Sequence, residues 1–209
     1  LGVAALIVVM SVMNGFRAEL FDKIVGLNGH AVVQGYGGRL DNWQAIAAQA
    51  RATPGVTRAT PLMEQPLLAT FNGRVEAALI RGMTEPDIRA NPSLRSKLVA
   101  GSLDSIRTGS GKVAIGSRLA ENLGVNVGQT ISVINPAGRS TPFGTVPRQL
   151  PYEIGAIFEI GIYDYDKAFI IMPMGDAQTL LLLGDKVAMV EIQTDDPDRV
   201  GEILAPLAK

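Results

Sequence analysis

Cysteine is absent from the sequence of 209 residues, and histidine occurs once, as His30. Without cysteine the chain has no disulfide, no thiol nucleophile and no cysteine-ligated metal. A single histidine also excludes a zinc site built from histidine and cysteine, and most catalytic pairs of a nucleophile with a histidine. We therefore expect no metal, no cofactor and no catalytic residue, although an enzyme that relies on carboxylates or lysine stays open.

An excess of either charge is missing too. The formal net charge is −1, which leaves no electrostatic footprint for nucleic acid. No cluster of Lys and Arg of the kind that binds anionic lipid head groups occurs. Hydrophobic residues make up 47% of the chain and charged residues 19%, an ordinary balance for a globular protein. The length suffices for one large domain or two small ones.

Charge is missing altogether from the first 13 residues, LGVAALIVVMSVM. A helix of that length spans about 20 Å, short of the roughly 30 Å of a bilayer core, and the basic start of a signal peptide is absent. The next residues place apolar side chains at helical spacing. We expect residues 1–27 to be the end of a first transmembrane helix followed by an amphipathic stalk, cut by the start of a fragment. A buried N-terminal core helix is the alternative.

Strands and helices alternate along the rest of the chain with short, irregular connections, which favours an α+β fold over a doubly wound parallel sheet. Asn72-Gly73 lies between two apolar runs and predicts a β-hairpin over 66–82, because both turn positions need a positive φ. Gly124 stands where a glycine ends a helix. Further strands are predicted at 30–36, 112–116, 129–134, 152–159, 167–173 and 186–194, and further helices at 41–52, 174–184 and 196–209.

The composition along the chain also predicts two lobes. Residues 28–82 together with 174–209 make one strand–helix lobe in this interpretation. The segment 83–173 begins with a polar stretch rich in turn residues, and we interpret it as a second lobe inserted into the first.

Three short features resemble chemical sites, and simpler explanations fit them better. TGSGKVAIGS (108–117) contains Gly111-Lys112, but a P-loop lysine is followed by a helix and here a strand follows. TDDPDR (194–199) offers three carboxylates, yet calcium loops spread their ligands over about twelve residues, so we expect acids at a helix N-terminus. His30 is expected at the start of a strand, in a structural or surface role.

The segment IGIYDYDKAF (160–169) places Asp164 and Asp166 in a predicted hairpin turn. Alternate residues of an extended chain share a side, so the two carboxylates are the best candidates for acid–base work. That role requires burial to separate their pKa values, and in a turn rich in Tyr and Asp we expect both to be solvated.

The stretch NPAGRSTPFGTVPRQ (135–149) contains three prolines and two glycines around one aromatic residue, Phe143. Proline removes backbone donors and holds the chain extended, so we expect a surface loop that cannot add hydrogen bonds to its own sheet. Phe143 is then either packed down onto the domain or held out for a partner. If it projects, its burial on association contributes roughly 1.5–3 kcal/mol, enough for a binding anchor.

These segments resemble a known family. SVMNGF (11–16) is similar to the end of the first membrane helix of the lipoprotein-releasing permeases LolC and LolE. VAIGSRLAENLGVNVGQTISVI (113–134) resembles a block shared with MacB-type periplasmic domains. TPFGTVPRQ (141–149) resembles the Hook of LolC-type subunits, a short β-arm bounded by prolines. The resemblance covers nearly the whole chain, and its strongest parts are the first thirty residues and the 113–134 block.

The resemblance implies the periplasmic domain of an inner-membrane ABC transporter permease. Such a permease pairs with a partner permease or a second copy and with a LolD-like cytoplasmic ATPase. It extracts acylated lipoproteins from the inner membrane and passes them to a LolA-like periplasmic carrier. Its domain has a Porter-like α/β lobe, an inserted, mostly β Sabre-like lobe and a protruding β-arm. The fragment itself is expected to hydrolyse nothing.

Carried over by position, the resemblance also assigns residues. The 135–149 loop corresponds to the Hook, and the residues expected to contact the carrier are Pro142, Phe143, Gly144, Val146, Pro147 and Arg148. Met10, Met13 and Phe16 are expected near the acyl chains of the lipoprotein.

Two rival interpretations remain. A MacB-like or FtsX-like periplasmic domain would engage another periplasmic partner, and a protruding loop framed by prolines would not be expected in it. A soluble enzyme that uses Asp164 and Asp166 would place both carboxylates in a cleft.

Overall fold

The protein is described by a computed structural model over residues 29–35, 39–141 and 144–208. It is a strand-rich mixed fold, as the α+β expectation requires. The strands are β1 Ala31–Gln34, β2 Val56–Phe71, β3 Arg74–Met83, β4 Leu98–Gly101, β5 Lys112–Gly116, β6 Thr130–Thr141, β7 Gly144–Phe158, β8 Phe169–Pro173 and β9 Met189–Thr194. The helices are α1 Trp43–Arg51, α2 Glu85–Ala90, α3 Pro92–Ser96, α4 Ser117–Leu123, α5 Tyr163–Ala168, α6 Met174–Leu181 and α7 Val200–Leu204.

Six strands close into a ring. The hydrogen-bonded order runs β2-β3-β8-β5-β7-β6 and returns to β2. The closure is short, since β6 meets β2 only where residues 132–134 pair with 68–70. The 16-residue strand β2 makes this possible: its first half pairs with β9, which carries β1 in turn, and its second half pairs with β6.

Apolar clusters cover both faces of β5 and β8 and of parts of β3 and β7. The largest apolar cluster draws on all six ring strands and on α4 and α6, with Ile80, Ile115 and Ile154 completely buried. A second cluster takes the alternate face, where Ala114 and Ile171 pack with α2 and α3. A third lies between α1 and β9. Central strands covered on both sides read as apolar runs, which explains sequences such as KVAIG and FIIMP.

The local signals in the sequence are confirmed where they specify backbone conformation. Asn72 and Gly73 have φ of 48° and 81° and join β2 to β3 in a two-residue turn. Gly124, at φ 72°, ends α4 and donates its N–H to the carbonyls of Ala120 and Glu121. Asp196 accepts a hydrogen bond from the backbone N–H of Asp198 at the start of the 3-10 turn Pro197–Arg199.

Two predicted helices differ from those observed. The helix expected over 174–184 ends at Leu181, because Leu182, with a φ of 59°, adopts a left-handed conformation that cannot continue the helix. The single helix expected over 196–209 is broken into the 3-10 turn, α7, and a second 3-10 turn over Ala205–Ala208.

The predicted division into two lobes stays a prediction. Strands from both sides of the proposed boundary pair in one sheet, as β3 does with β8 from Leu79–Phe169 to Met83–Pro173. Within the described residues no helix has both the length and the apolar composition needed to cross a bilayer. The expected membrane helix and stalk, 1–27, lie outside those residues.

Candidate functional site

The far ends of β6 and β7 form a two-stranded extension that we call the arm, residues 135–148. The last contact of β6 with the ring is the pairing of Ile134 with Leu68. Beyond it, in the described part of the chain, the two strands pair only with each other, ending at Thr141 with Gly144. The expectation of an irregular loop without ladder hydrogen bonds is therefore wrong, because the prolines interrupt the ladder without abolishing it.

Proline explains the irregularity at the base of the arm. Asn135 pairs with Arg148 and Arg139 with Val146, so three residues on β6 oppose Pro147 alone on β7. Such a bulge releases a strand from regular pairing where a proline cannot donate a hydrogen bond. Gly138 is required inside the bulge: a Cβ there would lie 1.9 Å from the carbonyl oxygen of Val146.

Asn135 anchors the arm to the body of the domain. Its side chain is buried, and its Oδ1 accepts a hydrogen bond from the backbone N–H of Ala137 at 3.1 Å. Its Nδ2 donates to the carbonyl of Leu180 at 3.4 Å. That carbonyl belongs to the last turn of α6, where no intrahelical donor is available. The base of the arm is thus fixed to the end of a helix.

The described side chains of the arm that were predicted to bind a carrier are largely exposed. Gly144 and Pro147 are exposed, and Val146 retains 56% of its accessible surface. Arg148 is half-buried at the base. Pro142 and Phe143 lie outside the described residues, so the location of the predicted aromatic anchor stays a prediction.

Two clefts flank the base of the arm and meet the turn that follows α6. The first, of about 230 Å³, has a partly apolar lining that includes Asn135 and Ala137 from the arm and Glu64 from β2. The second, of about 410 Å³, is lined by Arg148 together with residues of α6 and the turn after it.

Some buried polar atoms near the base of the arm have no hydrogen-bond partner in the described structure, and burial shifts the pKa values of two groups there. Arg148 Nε is buried and has no hydrogen-bond acceptor among the described residues. Burial, with a further contribution from the Asp176 carboxylate, raises the pKa of Tyr152 to about 12, against the lowering effect of Arg148. Burial also raises the pKa of Asp176, whose Oδ2 lacks a hydrogen-bond partner in the described structure.

The lysine of the segment 108–117 does not face a phosphate-binding loop. Lys112 begins β5, as expected, and its Nζ lies 2.9 Å from Glu153 Oε1. The preceding turn is held by carboxylates: Thr108 N donates to Glu85 and Gly109 N to Asp176. The hydrogen bond from Thr108 lowers the pKa of Glu85. Because carboxylates already accept these N–H groups, the segment is a structural turn and not a phosphate-binding loop.

The two carboxylates of segment 160–169 are not a catalytic pair. They lie on the helix α5 rather than in a hairpin turn, and residues two apart on a helix do not face each other. Asp164 is exposed. Asp166 is 2% exposed, and its two oxygens accept the backbone N–H groups of Ile160 and Gly161 at 2.7 and 2.9 Å. The expectation that both are solvated is wrong for Asp166, which holds the turn before the helix.

Of the remaining predicted features, His30 makes a structural contact, and the three residues predicted near the acyl chains lie outside the described residues. His30 precedes β1 as expected, and its Nδ1 accepts a hydrogen bond from the backbone N–H of Thr194 at 3.0 Å. Met10, Met13 and Phe16 lie outside the described residues. Within those residues no group of three or more His, Cys, Asp or Glu side chains is arranged to hold a metal.

A buried group of charges was missed by sequence reasoning. Arg81 of β3 is 1% exposed, and its guanidinium lies 2.8 Å from Glu191 Oε2 on β9 and 3.5 Å from Glu64 Oε2 on β2. Burial raises the pKa of Glu64, against the lowering effect of the Arg81 guanidinium. The available signal was a charge inside each of three apolar strands, in LIRGM, MVEIQ and PLMEQ.

Comparison with known families agrees with this fold. The family model of the MacB-like periplasmic core domain matches residues 1–209. Solved structures support the same fold. The extracellular domain of the noncanonic ABC-type transporter YknZ from Gram-positive bacteria superposes with a TM-score of 0.54 at 12% identity, covering 80% of this chain and 79% of that one. The periplasmic region of MacB from Actinobacillus actinomycetemcomitans gives 0.53 at 13%, covering 84% and 74%. The chain belongs to the MacB-like periplasmic core domain family.

Curated relatives narrow the class. The lipoprotein-releasing system transmembrane protein LolC of Xylella fastidiosa (strain Temecula1) is 32% identical over 208 residues, which cover 100% of this chain. LolC of Neisseria meningitidis serogroup B is 31% identical over 99% of the chain, and LolE of Haemophilus influenzae 26% over 94%. The resemblance to the LolC and LolE proteins is confirmed. The chain spans about half the length of these relatives: 50%, 50% and 48%.

Proposed function

We propose that this chain is the periplasmic domain of an inner-membrane permease in an ABC transporter that releases acylated lipoproteins. In this proposal a LolA-like periplasmic carrier docks on the arm and receives the lipoprotein. The observation that carries the proposal is the arm itself, a hairpin that leaves the ring at Ile134 and exposes Val146 and Pro147, in a chain whose curated relatives are named for lipoprotein release.

The chemistry of the arm supports docking. Its ladder is interrupted at the bulge, and a two-stranded hairpin without a covering layer has little stability of its own. An exposed apolar side chain such as Val146 gains free energy when a partner buries it. We assign the carrier contacts to Gly144, Val146, Pro147 and Arg148, with Pro142 and Phe143 at the tip.

The rest of the assembly is part of the same proposal. The permease works with a partner permease or a second copy of itself, and a LolD-like cytoplasmic subunit hydrolyses ATP, so this domain is non-catalytic. The Porter-like and Sabre-like lobes correspond to residues 28–82 with 174–209 and to residues 83–173. Met10, Met13 and Phe16 lie near the acyl chains of the lipoprotein.

The test compares two valines with similar exposure. Val146 on the arm and Val75 on β3 keep 56% and 58% of their accessible surface. The permease that contains this domain is incubated with the purified carrier, and affinity is measured by calorimetry. We expect Val146→Glu and Phe143→Glu to weaken binding about tenfold or more, because a buried contact of roughly 1.5–3 kcal/mol is lost. Val75→Glu serves as the matched control and should bind as the wild type does.

Equal binding by all of these variants would contradict docking on the arm. A second candidate function then takes its place: a domain that engages another periplasmic partner, which the likeness to MacB and YknZ favours. The arm argues against this candidate, since the MacB-like interpretation does not require a protruding hairpin framed by prolines.

A further inference from the structure

The buried charges on β2, β3 and β9 form one connected group. Glu64 lies directly opposite Arg81 in the β2–β3 ladder, and Glu191 lies opposite Thr60, four residues before Glu64, in the β2–β9 ladder. The three charged side chains therefore occupy one face of three adjacent strands. Arg81 reaches across β2 to Glu191 at 2.8 Å, and its guanidinium also lies 5.8 Å from the centre of the Phe169 ring.

Glu191 uses its second oxygen to hold Gly29. The backbone N–H of Gly29 donates to Glu191 Oε1 at 2.6 Å. Only glycine fits there without rearrangement, because a Cβ at position 29 would lie 2.4 Å from Glu191 Cγ and 2.7 Å from the carbonyl oxygen of Ile192. A charge-assisted hydrogen bond of this kind is about twice as strong as a neutral one.

Few backbone pairs attach Gly29 and the strand that follows it to the rest of the domain. In the described structure β1 pairs only with β9, over four residue pairs from Ala31–Ile192 to Gln34–Met189. His30 adds contacts of its backbone and ring to Ile192 and Thr194, which are again on β9. Beyond β9 the backbone ladder between β9 and β2 continues this attachment, and Glu191 adds a side-chain connection through Arg81 to the ring strand β3.

We propose that Glu191, Arg81 and Glu64 form an ionic joint that connects residue 29 to β3 through side chains, alongside the backbone ladder between β9 and β2, so that displacement of residue 29 is passed to two ring strands at once. Charged side chains suit this role better than an apolar contact of the same size. The planar guanidinium of Arg81 meets Glu191 and Glu64 through two different nitrogens, which fixes direction as well as distance, and separating buried charges is costly. The inference rests on the proposed transporter function for its purpose, although the joint itself is a property of this domain.

The first test measures the joint without reference to transport. It uses a triple variant of the permease that carries Arg81→Met, Glu191→Leu and Glu64→Gln. These substitutions replace the charged side chains of the joint by uncharged ones of similar volume, which often preserves stability. We expect the amides of Gly29 and of β1 to exchange hydrogen about tenfold faster, because a charge-assisted contact that resisted local opening is gone. The amides of β3 and β8 should keep their rates.

The control removes a partly exposed ion pair between β5 and β7, two strands that pair with neither β1 nor β9. Lys112 and Glu153 pair at 2.9 Å with about a third of each side chain accessible, and Lys112→Met with Glu153→Leu should leave exchange at Gly29 unchanged. Unchanged exchange at Gly29 in the triple variant would overturn the joint. If the triple variant does not fold, the variant Glu191→Gln is tested instead, because it keeps an oxygen for the Gly29 N–H but loses the charge. We expect hydrogen exchange at the Gly29 amide to become a few-fold faster. An unchanged exchange rate at Gly29 would overturn the proposal.

The second test measures transmission in the complete transporter. We expect the triple variant to hydrolyse ATP within about twofold of the wild type but to release lipoprotein several-fold more slowly, because fewer displacements of residue 29 reach the ring. Release at the wild-type rate despite fast exchange at Gly29 would overturn the transmitting role and leave the proposed function intact. A wild-type transporter that binds no carrier and releases no lipoprotein would instead overturn the proposed function, and the exchange data would still decide the joint.

Discussion

Two β-hairpins in this domain share a connection of two residues and differ in almost everything else. The β2–β3 hairpin keeps a regular register from Leu62–Met83 to Phe71–Arg74, around the turn at Asn72-Gly73. The β6–β7 hairpin follows the ring as far as Ile134 and then breaks register between Asn135 and Arg139. The first is built into the ring, and the second leaves it as the arm.

The difference teaches which residues decide whether a hairpin joins a sheet. In β2–β3 the turn conformation is set by residues that accept a positive φ, and the strands place alternate side chains, among them Leu67, Ala78 and Ile80, in the main apolar cluster. In β6–β7 the two prolines at positions 136 and 147 remove backbone donors where the arm begins. Stability should therefore depend on the first hairpin and exposure to partners on the second.

The largest expected contrast is between two arginines. Arg81→Ala on β3 leaves Glu191 and Glu64 without their buried counter-charge, which costs about 3–5 kcal/mol of unfolding free energy. Arg148→Ala on the arm removes a half-buried side chain at the edge of the structure and should cost less than about 1 kcal/mol. Urea unfolding of the two variants measures the difference. Similar losses from both substitutions would show that the arm contributes as much stability as the ring.

The next contrast uses two glycines with different constraints. Gly73→Ala forces a side chain into a left-handed turn position (φ 81°), which costs about 1–2 kcal/mol and should lower the thermal midpoint. Gly138→Ala directs a Cβ into the carbonyl of Val146, so we expect the arm to open locally. Faster amide exchange on the arm, with an unchanged midpoint, is the expected result. A lowered midpoint for Gly138→Ala would mean that the arm unfolds together with the ring.

A smaller effect is expected at the attachment of the arm. Asn135→Ala removes the hydrogen bonds to Ala137 N and to the carbonyl of Leu180, each with a net contribution of about 0.5–1.5 kcal/mol. The substitution should increase exchange of the arm amides and weaken carrier binding moderately, while the ring strands keep their protection. Equal exchange in both proteins would show that the bulge alone sets the direction of the arm.

The smallest effect concerns pH. The pKa of Asp176 is raised above its ordinary value of 3.8 by burial, so the folded protein binds a proton more readily than the unfolded chain. The stability contribution of this group is present at low pH and falls as pH rises through the raised pKa. Asp176→Asn keeps an acceptor for Gly109 N without this dependence. The difference in thermal midpoint between Asp176→Asn and the wild type should increase in favour of the variant as the pH rises from 4 to neutral. A difference that does not change with pH would contradict the assignment.

The sequence predicted local conformation better than long-range pairing. The turn at Asn72-Gly73 and the helix end at Gly124 follow from backbone sterics at single residues, and both were predicted. The prolines of 135–149 were recognised as incompatible with a helix, but the ladder that survives between them depends on register across two strands. The closing contact of β6 with β2 joins residues more than sixty positions apart and has no local signature.

Buried polar groups were the hardest to predict. Asp166 was expected in solvent because its neighbours are polar, yet it is buried because two backbone N–H groups of the preceding turn require an acceptor. Arg81 gave only the signal of a charge in an apolar strand, and its partners come from strands 17 and 110 residues away in sequence. Both the burial of Asp166 and the partners of Arg81 therefore depend on the fold.

The prolines at the base of the arm also bear on solubility. A projecting pair of strands offers a row of free amides and carbonyls on each side, and such edges invite other chains to add to them and form aggregates. Pro136 and Pro147 lack an N–H to offer, and the bulge around Gly138 interrupts the regular edge that another strand would need as a template. The same residues that set the arm apart therefore let the protein display it in a crowded compartment without recruiting its own copies into fibres.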